Sequence, residues 1–186
     1  MKRVFDFSLA LVCLFLLFPL LVLLVGAVWT TSPGPTLYWS DRVGRNNQIF
    51  KMPKFRSMRI NTPAVATHLL GNPDPWLTPI GSFLRKSSMD ELPQIWSILK
   101  GDMSFVGPRP ALFNQGDLIS LRKDAGVHEL SPGLTGWAQV NGRDDLSISD
   151  KVKLDAEYLE KRSVRFDLWI LWLTLLKVLR CDGVSH

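Results

Sequence analysis

Two adjacent carboxylates, Asp90 and Glu91, are the side chains in this sequence best suited to chemistry. A carboxylate can attack phosphorus and form an acyl phosphate, and a neighbouring acid can manage a proton. Further along the chain, Gly107-Pro108-Arg109-Pro110 places an arginine between two prolines. The prolines fix the backbone on either side and could orient the guanidinium group toward a phosphate. This combination indicates phosphoryl-transfer chemistry.

The same residues also have a purely structural interpretation. Ser88-Met89-Asp90-Glu91 fits a capping box, with serine at the N-cap and glutamate three residues later. The acids would then only stabilise a helix N-terminus, where Pro93 is also tolerated. The tetrapeptide around Arg109 would be an ordinary rigid turn. Both interpretations predict a helix that begins near residue 87 or 88 and ends at Gly101.

Further cations could neutralise a phosphate substrate. Lys54 and Arg56 belong to a dense basic stretch, and Arg143 follows a glycine at a predicted loop. A solvated or headgroup-binding stretch is the alternative interpretation of the pair at 54 and 56. A carboxylate that attacks a diphosphate requires charge neutralisation, so we expect Mg²⁺ near Asp90 together with arginines.

Composition excludes several classes of protein. The 186 residues, 46% hydrophobic and 21% charged, suit one compact domain and not a disordered or fibrous chain. Two cysteines exclude a disulfide framework and a multi-cysteine zinc site, and the three histidines lack ligand spacing, so we assign them no role. The net charge is +6 over residues 1–60 and −1 over residues 61–186, which favours an anionic partner. Nucleic acid is excluded because its recognition would need a more basic domain and a recognised module.

The N-terminal sequence predicts a membrane segment. No charged residue occurs between Phe7 and Ser40, and residues 9–29 are almost wholly apolar. As a helix they would extend about 30 Å, enough to cross the hydrocarbon core. The run is too long for a typical signal-peptide h-region, so we expect it to be retained. We therefore assign residues 1–30 to a membrane-embedded helix and residues 31–186 to a soluble or surface-lying domain, which the resemblance described below implies is a cytosolic, membrane-associated catalytic domain.

Pro19 leaves two topologies open, because it removes a backbone donor in the middle of this segment. One is a kinked spanning helix. The other is a re-entrant helix that enters and leaves on the same face. Six basic residues between positions 42 and 59 make the second flank at least as basic as Lys2 and Arg3. Because basic flanks prefer the cytoplasmic side, the charge pattern favours the re-entrant topology.

The remaining pattern predicts a mixed α/β, helix-rich fold. We expect short strands at 36–39 and 48–52 around a polar turn, a loop over 61–79, and a loop-and-strand segment over 131–143. Helices are predicted over 111–123, 148–161 and 164–180. The last helix carries Trp169 and Trp172 between charged ends. That pattern is typical of an amphipathic helix in the membrane interface, although a buried core helix fits nearly as well.

Taken in order, these motifs closely resemble the bacterial sugar transferase family, the small monotopic polyprenyl-phosphate phosphoglycosyl transferases. The resemblance covers nearly the whole chain, and its most specific part is the block SMDELPQIWSILKGDMSFVGPRP at 88–110. The other parts are the proline-broken segment at 9–29, SPGP at 32–35, RVGRN at 42–46, KFRSM at 54–58, and PGLTGWAQVNGR at 132–143.

The resemblance implies a reaction. Such enzymes move a sugar 1-phosphate from a nucleoside diphosphate sugar, usually UDP-linked, onto undecaprenyl phosphate and release UMP. The small relatives suggest an N-acetylated amino sugar. Asp90 would be the nucleophile of a covalent phosphosugar intermediate, with Mg²⁺ beside it, and Glu91 the assisting carboxylate. Lys54, Arg56, Arg109 and Arg143 would bind substrate phosphates.

The resemblance also implies a location and an architecture. The enzyme would lie in the bacterial inner membrane, with its catalytic domain facing the cytoplasm. Its membrane helix would be re-entrant and bent at the proline, and amphipathic helices would lie in the interface. A homodimer is compatible with the sequence.

Two other functions remain as alternatives. A non-catalytic, membrane-tethered interaction protein would use the two carboxylates only as helix caps. A different acyl-phosphate enzyme, such as a membrane phosphatase, would release phosphate to water without a lipid acceptor. The ordered motifs favour the transferase.

Overall fold

The computed structural model describes residues 2–62, 74–142 and 145–180, with the backbone alone at 179 and 180. The helices are α1 Lys2–Thr31, α2 Gly81–Lys86, α3 Ile95–Lys100, α4 Gly116–Asp124, α5 Trp137–Val140, α6 Ile148–Lys161 and α7 Val164–Arg180. The strands are β1 Leu37–Val43, β2 Ile49–Phe55, β3 Ser104–Val106, β4 Ala111–Leu112 and β5 Gly133–Thr135. The prediction of a helix-rich α/β fold is confirmed.

The predicted strands around the polar turn are confirmed and form a longer hairpin. Antiparallel β1 and β2 pair from Leu37 opposite Phe55 to Val43 opposite Ile49. Asn46 and Asn47 adopt left-handed backbone conformations in the turn, with φ of 55° and 59°. Side chains alternate between the two faces of a strand, so this register places Arg42 and Lys54 on the same face of the hairpin.

Two shorter pairings complete the sheets. β4 adds to the other edge of β1, with Arg42 opposite Leu112. β3 and β5 pair in parallel, with Ser104 opposite Gly133. These pairings hold the segment that contains Arg109 between the hairpin and β5.

The helix predictions had different outcomes. Those over 148–161 and 164–180 are confirmed, and Ser147 caps α6 by accepting a hydrogen bond from the Asp150 amide. The helix predicted over 111–123 is wrong at its start, since β4 occupies residues 111 and 112 and α4 begins at Gly116. Segment 131–143 contains β5 and also the short helix α5, which was not predicted. Most of the predicted 61–79 loop lies outside the described residues.

One side of α1 packs against the domain along most of the helix. Near its amino end, Ala10 joins a core that includes Ile98 and Phe105. Near its carboxyl end, Leu24 and Val28 pack with Phe55 and Leu84. The opposite side remains apolar and exposed, as shown by Phe15 at 83% and Trp29 at 71%. By length and composition, α1 could cross or anchor in a membrane.

Polar contacts fix the amino end of α1 to the domain. The buried Asp6 carboxylate accepts hydrogen bonds from the Ser104 hydroxyl at 2.8 Å and the Phe105 amide at 3.2 Å. Lys2 forms an ion pair with the buried Asp167 of α7. Arg3 donates to the carbonyls of Ile98 and Leu99, where the negative end of the α3 dipole favours a cation. Because Leu24 and Val28 also pack on the domain, both ends of α1 contact it.

Candidate active site

The two carboxylates lie on a tight helical turn, not at a capped α-helix start. A 3₁₀-helix spans Met89–Gln94 and leads into α3, which ends at Gly101 with φ of 99°. The predicted end is therefore confirmed. The predicted capping box is wrong: Ser88 has a left-handed backbone with φ of 55°, and its side chain makes no cap hydrogen bond. The turn buries Asp90 and leaves Glu91 partly accessible.

Glu91 connects two of the predicted cations. Its Oε1 accepts a hydrogen bond from Lys54 Nζ at 2.8 Å and from Arg109 Nη2 at 3.2 Å. Lys54 is carried by β2, and Arg109 by the segment after β3. Lys54 and Arg109, which are far apart in the chain, therefore meet at the Glu91 carboxylate, and all three residues were predicted from the sequence. These ion pairs are only partly exposed, so solvent screens them less than it would a surface pair.

The position of Arg109 depends on a buried ion pair behind it. Arg122 on α4 donates from Nη1 to the Arg109 carbonyl at 2.8 Å. The same guanidinium group donates from Nε and Nη2 to Asp155 of α6, at 2.9 Å and 2.6 Å. Arg122 therefore braces the backbone that presents Arg109, while its own charge is balanced by Asp155.

Asp90 is 8% exposed and lies in a strongly charged environment. Burial raises the pKa of its carboxyl group above the ordinary aspartate value, because desolvation disfavours the charged form. The Lys54 ammonium opposes this increase in pKa, Glu91 adds to it, and Arg85 and Arg109 also oppose it. Nearby cations therefore stabilise the ionised form of Asp90, which burial alone would disfavour.

Arg42 is a functional candidate that the sequence analysis did not place in the site. Its Nη1 donates to the Pro110 carbonyl at 3.3 Å, and its Nε donates to the Ser40 hydroxyl at 3.0 Å. Burial and the nearby Arg109 charge lower the pKa of Arg42 to about 10, while Glu91 opposes this decrease. Strand periodicity could have indicated Arg42, since it shares a hairpin face with Lys54, but only once the register was known.

A cleft lies beside Glu91 and the arginines Arg42 and Arg109. It is lined by Arg42, Met52, Glu91, Gln94, Arg109, Pro110 and Gly133, and we call it the carboxylate cleft. Among the described residues, Arg42, Lys54, Arg85 and Arg109 act on the two carboxylates, Asp90 and Glu91. Among these described side chains, cations outnumber carboxylates. Such a group of cations in a partly buried region suits an anionic ligand.

The remaining predicted residues lie elsewhere. Arg56 is 5% exposed and donates to the Ser32 carbonyl and hydroxyl, at 2.7 Å and 3.1 Å. Its Nε and Nη1 are buried and have no hydrogen-bond partner among the described residues. These contacts secure the segment after α1, and phosphate binding by Arg56 stays a prediction. Arg143 lies outside the described residues.

The metal prediction rests on Asp90. Within the described part of the chain, no group of three or more His, Cys, Asp or Glu side chains could hold a metal ion. Mg²⁺ is usually held by one or two carboxylates together with substrate phosphates, so the carboxylate pair at 90 and 91 fits this mode of binding.

Comparison with protein families gives one assignment. The profile of the family described as bacterial sugar transferase matches residues 1–181. The chain belongs to this family. The predicted family membership is thereby confirmed, and the helical turn with Asp90 and Glu91 lies inside the matched region.

Curated relatives of this chain fall into two size groups. The UDP-glucose:undecaprenyl-phosphate glucose-1-phosphate transferase of Escherichia coli is 40% identical over 185 residues, covering 95% of this chain and 40% of the relative. The undecaprenyl-phosphate galactose phosphotransferase of Salmonella typhimurium is 38% identical over 98% of this chain and 41% of its own length. The exopolysaccharide production protein ExoY of Rhizobium meliloti is 40% identical over 98% of this chain and 87% of its own length. The chain thus spans about two fifths of the longer relatives.

Proposed function

We propose that this protein transfers a sugar 1-phosphate from a nucleoside diphosphate sugar to polyprenyl phosphate, with undecaprenyl phosphate as the acceptor. The group of cations that the described residues place around Asp90 and Glu91 is the observation that carries the proposal. A donor diphosphate is an anion that such cations bind. The names of the relatives support the same general reaction, since two of them refer to undecaprenyl phosphate.

In the proposed first step, the donor diphosphate binds against Arg109, Lys54 and Arg42. One oxygen of Asp90 forms a bond to the sugar-bearing phosphorus. The bond from this phosphorus to the bridging oxygen breaks, and that oxygen leaves with the electron pair as part of the nucleoside monophosphate, UMP for a UDP-sugar. Asp90 then carries the sugar phosphate as an acyl phosphate.

In the second step, an oxygen of the lipid phosphate attacks the same phosphorus. The acyl-phosphate bond breaks, and its electron pair returns to the Asp90 carboxylate. We assign Glu91 to accept a proton still held by the lipid phosphate, because it is the neighbouring carboxylate and lines the cleft. The product is a polyprenyl diphosphosugar, and the enzyme is regenerated.

Mg²⁺ is the proposed cofactor, and Asp90 would contribute an oxygen ligand beside the donor phosphates. Asp90 accepts no hydrogen bond from the residues that the structure describes, so its oxygens are not committed to structural partners. When bound, the ion would supply further neutralisation of phosphate charge. The arginines and Lys54 hold the donor through their own contacts.

The membrane arrangement is also a proposal. The two ends of a simple spanning helix would be separated by the bilayer. In this structure both ends of α1 contact the same domain. Lys2, Arg3 and Asp6 form polar contacts at the amino end, and Leu24 and Val28 form apolar contacts near the carboxyl end. These contacts support a re-entrant α1 with the catalytic domain on the cytoplasmic face of the inner membrane. The exposed Trp169 and Trp172 of α7 support an interfacial position for that helix.

The topology can be tested with single cysteines after Cys13 and Cys181 are changed to serine. One cysteine is added ahead of Met1, and another replaces the exposed Arg45. A membrane-impermeant thiol reagent applied to oriented vesicles should label both positions from the same side. Labelling from opposite sides would exclude a re-entrant α1 without excluding the reaction.

The reaction is tested by trapping the intermediate. Protein in lipid nanodiscs is incubated with Mg²⁺ and a panel of UDP-sugars, including glucose, galactose and N-acetylated amino sugars, without lipid acceptor. Intact mass should increase by one sugar phosphate for the correct donor, and UMP should appear in equal amount. Adding undecaprenyl phosphate should discharge the adduct. Asp90→Asn is the matched control and should acquire no added mass.

Each contrary outcome has a meaning. If no donor in the panel produces an adduct in active, lipid-supported protein, the covalent mechanism is excluded. If the adduct releases sugar phosphate to water as fast as to lipid, the membrane phosphatase is the better description.

A further inference from the structure

Arg109 lines a second cleft in addition to the carboxylate cleft. This second cleft lies between the end of β1, the turn after it, α4 and the segment 127–132. Most of the side chains that line it are apolar: Val43, Pro108, Ala111, Ile119, Val127, Leu130 and Pro132. We call it the apolar cleft. Because Arg109 borders both clefts, a ligand held by its guanidinium group could extend from one into the other.

Apart from the shared Arg109, the two clefts differ in the polar groups that line them. Arg42 and Glu91 line the carboxylate cleft, and Lys54 pairs with that Glu91. In the apolar cleft, Arg122 is already neutralised by Asp155, with both side chains largely buried and 2.6 Å apart. Arg109, which borders both clefts, and the uncharged Asn47 and His128 are the other polar side chains among the described residues that line it. The carboxylate cleft therefore suits phosphates, and the apolar cleft suits a neutral group attached to them.

His128, which lines the apolar cleft, has a ring nitrogen without a hydrogen-bond partner among the described residues. This nitrogen, Nδ1, is buried. An unpaired buried polar atom destabilises the folded state, so a ligand that provided the missing hydrogen bond would bind more tightly. Depending on the tautomer of a neutral imidazole, Nδ1 either donates or accepts a hydrogen bond.

We propose that the apolar cleft binds the base of the donor nucleoside diphosphate, with His128 bonded to the edge of that base. This inference rests on the proposed function. A pyrimidine base is planar, has apolar faces for contacts with Val43 and Ile119, and has donors and acceptors along one edge. A hexose carries hydroxyl groups in all directions and would need more polar partners than this cleft provides. The sugar therefore belongs elsewhere.

The test compares His128→Ala with the exposed neighbour variant Glu129→Gln. We expect His128→Ala to raise the KM for the UDP-sugar about tenfold, the size expected for one lost hydrogen bond, while kcat and the KM for lipid phosphate change less than about twofold. Wild-type protein should be inhibited more strongly by UMP than by AMP. His128→Ala should lose most of that preference, and Glu129→Gln should retain it.

Two further measurements keep the inference testable if His128→Ala does not fold. Ile119→Trp should fill the apolar cleft and weaken UMP inhibition. In wild-type protein, UMP should raise the thermal unfolding temperature more than AMP at equal concentration. Equal protection by both nucleotides, or unchanged KM and base preference in the folded variants, would overturn the inference.

A third result would reassign the cleft. If His128→Ala changes discrimination among UDP-sugars but leaves inhibition by UMP unchanged, the cleft binds the sugar and the proposal is wrong. Failure of the proposed function is recognised separately, because wild-type protein would then form no adduct with any donor.

Discussion

Asp90 and Asp155 are both buried aspartates, but their surroundings differ. They are 8% and 1% exposed, and burial raises the pKa of both. Asp155 accepts two hydrogen bonds from Arg122, at 2.9 Å and 2.6 Å. Asp90 accepts none from the residues that the structure describes, and Lys54, Arg85 and Arg109 act on it only through charge.

This difference separates a structural acid from a reactive one. The oxygens of Asp155 are occupied, so its charge serves to hold α4 against α6 and to brace Arg109. The oxygens of Asp90 remain available, while nearby cations favour the ionised form that a nucleophile needs. Burial alone would not distinguish the two residues, whereas hydrogen-bond partners do.

The largest expected effect comes from Asp90→Asn. Turnover should fall by about 10³-fold or more, because the nucleophile is lost. The free energy of unfolding should stay the same or rise. The folded-state pKa of Asp90 lies above its unfolded value, so its ionisation destabilises the fold as pH rises through the folded pKa, and this cost is absent below the unfolded pKa.

Thermal unfolding at pH 5 and pH 8, together with UMP release, checks both parts. Any stability gain should be larger at pH 8 than at pH 5. Normal turnover by Asp90→Asn would show that Asp90 is not the nucleophile. A variant that is clearly less stable at pH 8 would show that Asp90 is a structural acid like Asp155.

The matching experiment on the structural acid is Arg122→Met. It leaves Asp155 buried without its cation, and such a change typically lowers the free energy of unfolding by about 3–5 kcal/mol. The double variant Arg122→Met with Asp155→Leu should recover most of that loss, because no buried charge remains. Chemical denaturation measures both values.

The double variant also separates two roles of Arg122: holding the Arg109 backbone in place and stabilising the fold. It still lacks the hydrogen bond from Arg122 to the Arg109 carbonyl, so the KM for the donor should remain raised after stability recovers. Full recovery of both quantities would mean that Arg122 contributes only to the fold. Failure of stability to recover would contradict the charge argument.

The cations around Asp90 can be tested through pH dependence. Adduct formation in the absence of lipid should decline at low pH, with its midpoint above the ordinary aspartate value of about 3.9. Lys54→Met should move this midpoint to higher pH, since Lys54 holds the pKa of Asp90 down. Glu91→Gln should move it to lower pH, since Glu91 raises that pKa. Midpoint shifts in the same direction would contradict this electrostatic account.

Local signals determined which parts of the fold the sequence could predict. Helices 148–161 and 164–180 were predicted with their bounds because each has apolar periodicity and clear polar ends. The start of α4 was predicted wrongly, because residues 111 and 112 pair with β1, which is far away in the chain. The re-entrant form of α1 stays a prediction, although contacts at both of its ends support it.

The site residues also divide into those with a local sequence signal and those whose position depends on distant parts of the chain. The carboxylate pair, Lys54 and Arg109 were recognised by residue type and motif, and the structure brings them together. Arg42 was missed because its place beside them depends on hairpin register. Arg56 looked equivalent to Lys54, but β2 ends at Phe55, and the chain then turns Arg56 into a buried contact with Ser32. Alternation along a strand predicts side-chain direction only while the strand continues.

The smallest expected effect concerns Ser88, the residue before the carboxylate turn. A true N-cap serine would lose about 1 kcal/mol on mutation to alanine. Since the Ser88 side chain makes no cap hydrogen bond, Ser88→Ala should leave the free energy of unfolding nearly unchanged. Ser88→Gly should raise it by up to about 1 kcal/mol, because glycine adopts the left-handed conformation without strain.

Denaturant unfolding of the two Ser88 variants beside wild type measures these differences, and UMP release should stay within about twofold in both. A loss of about 1 kcal/mol in the alanine variant would restore the capping box and make Asp90 and Glu91 ordinary helix-start acids. A stability gain in the glycine variant with unchanged activity would show that the left-handed residue sets the direction of the turn, and that the carboxylates are presented by this turn and not by a helix cap.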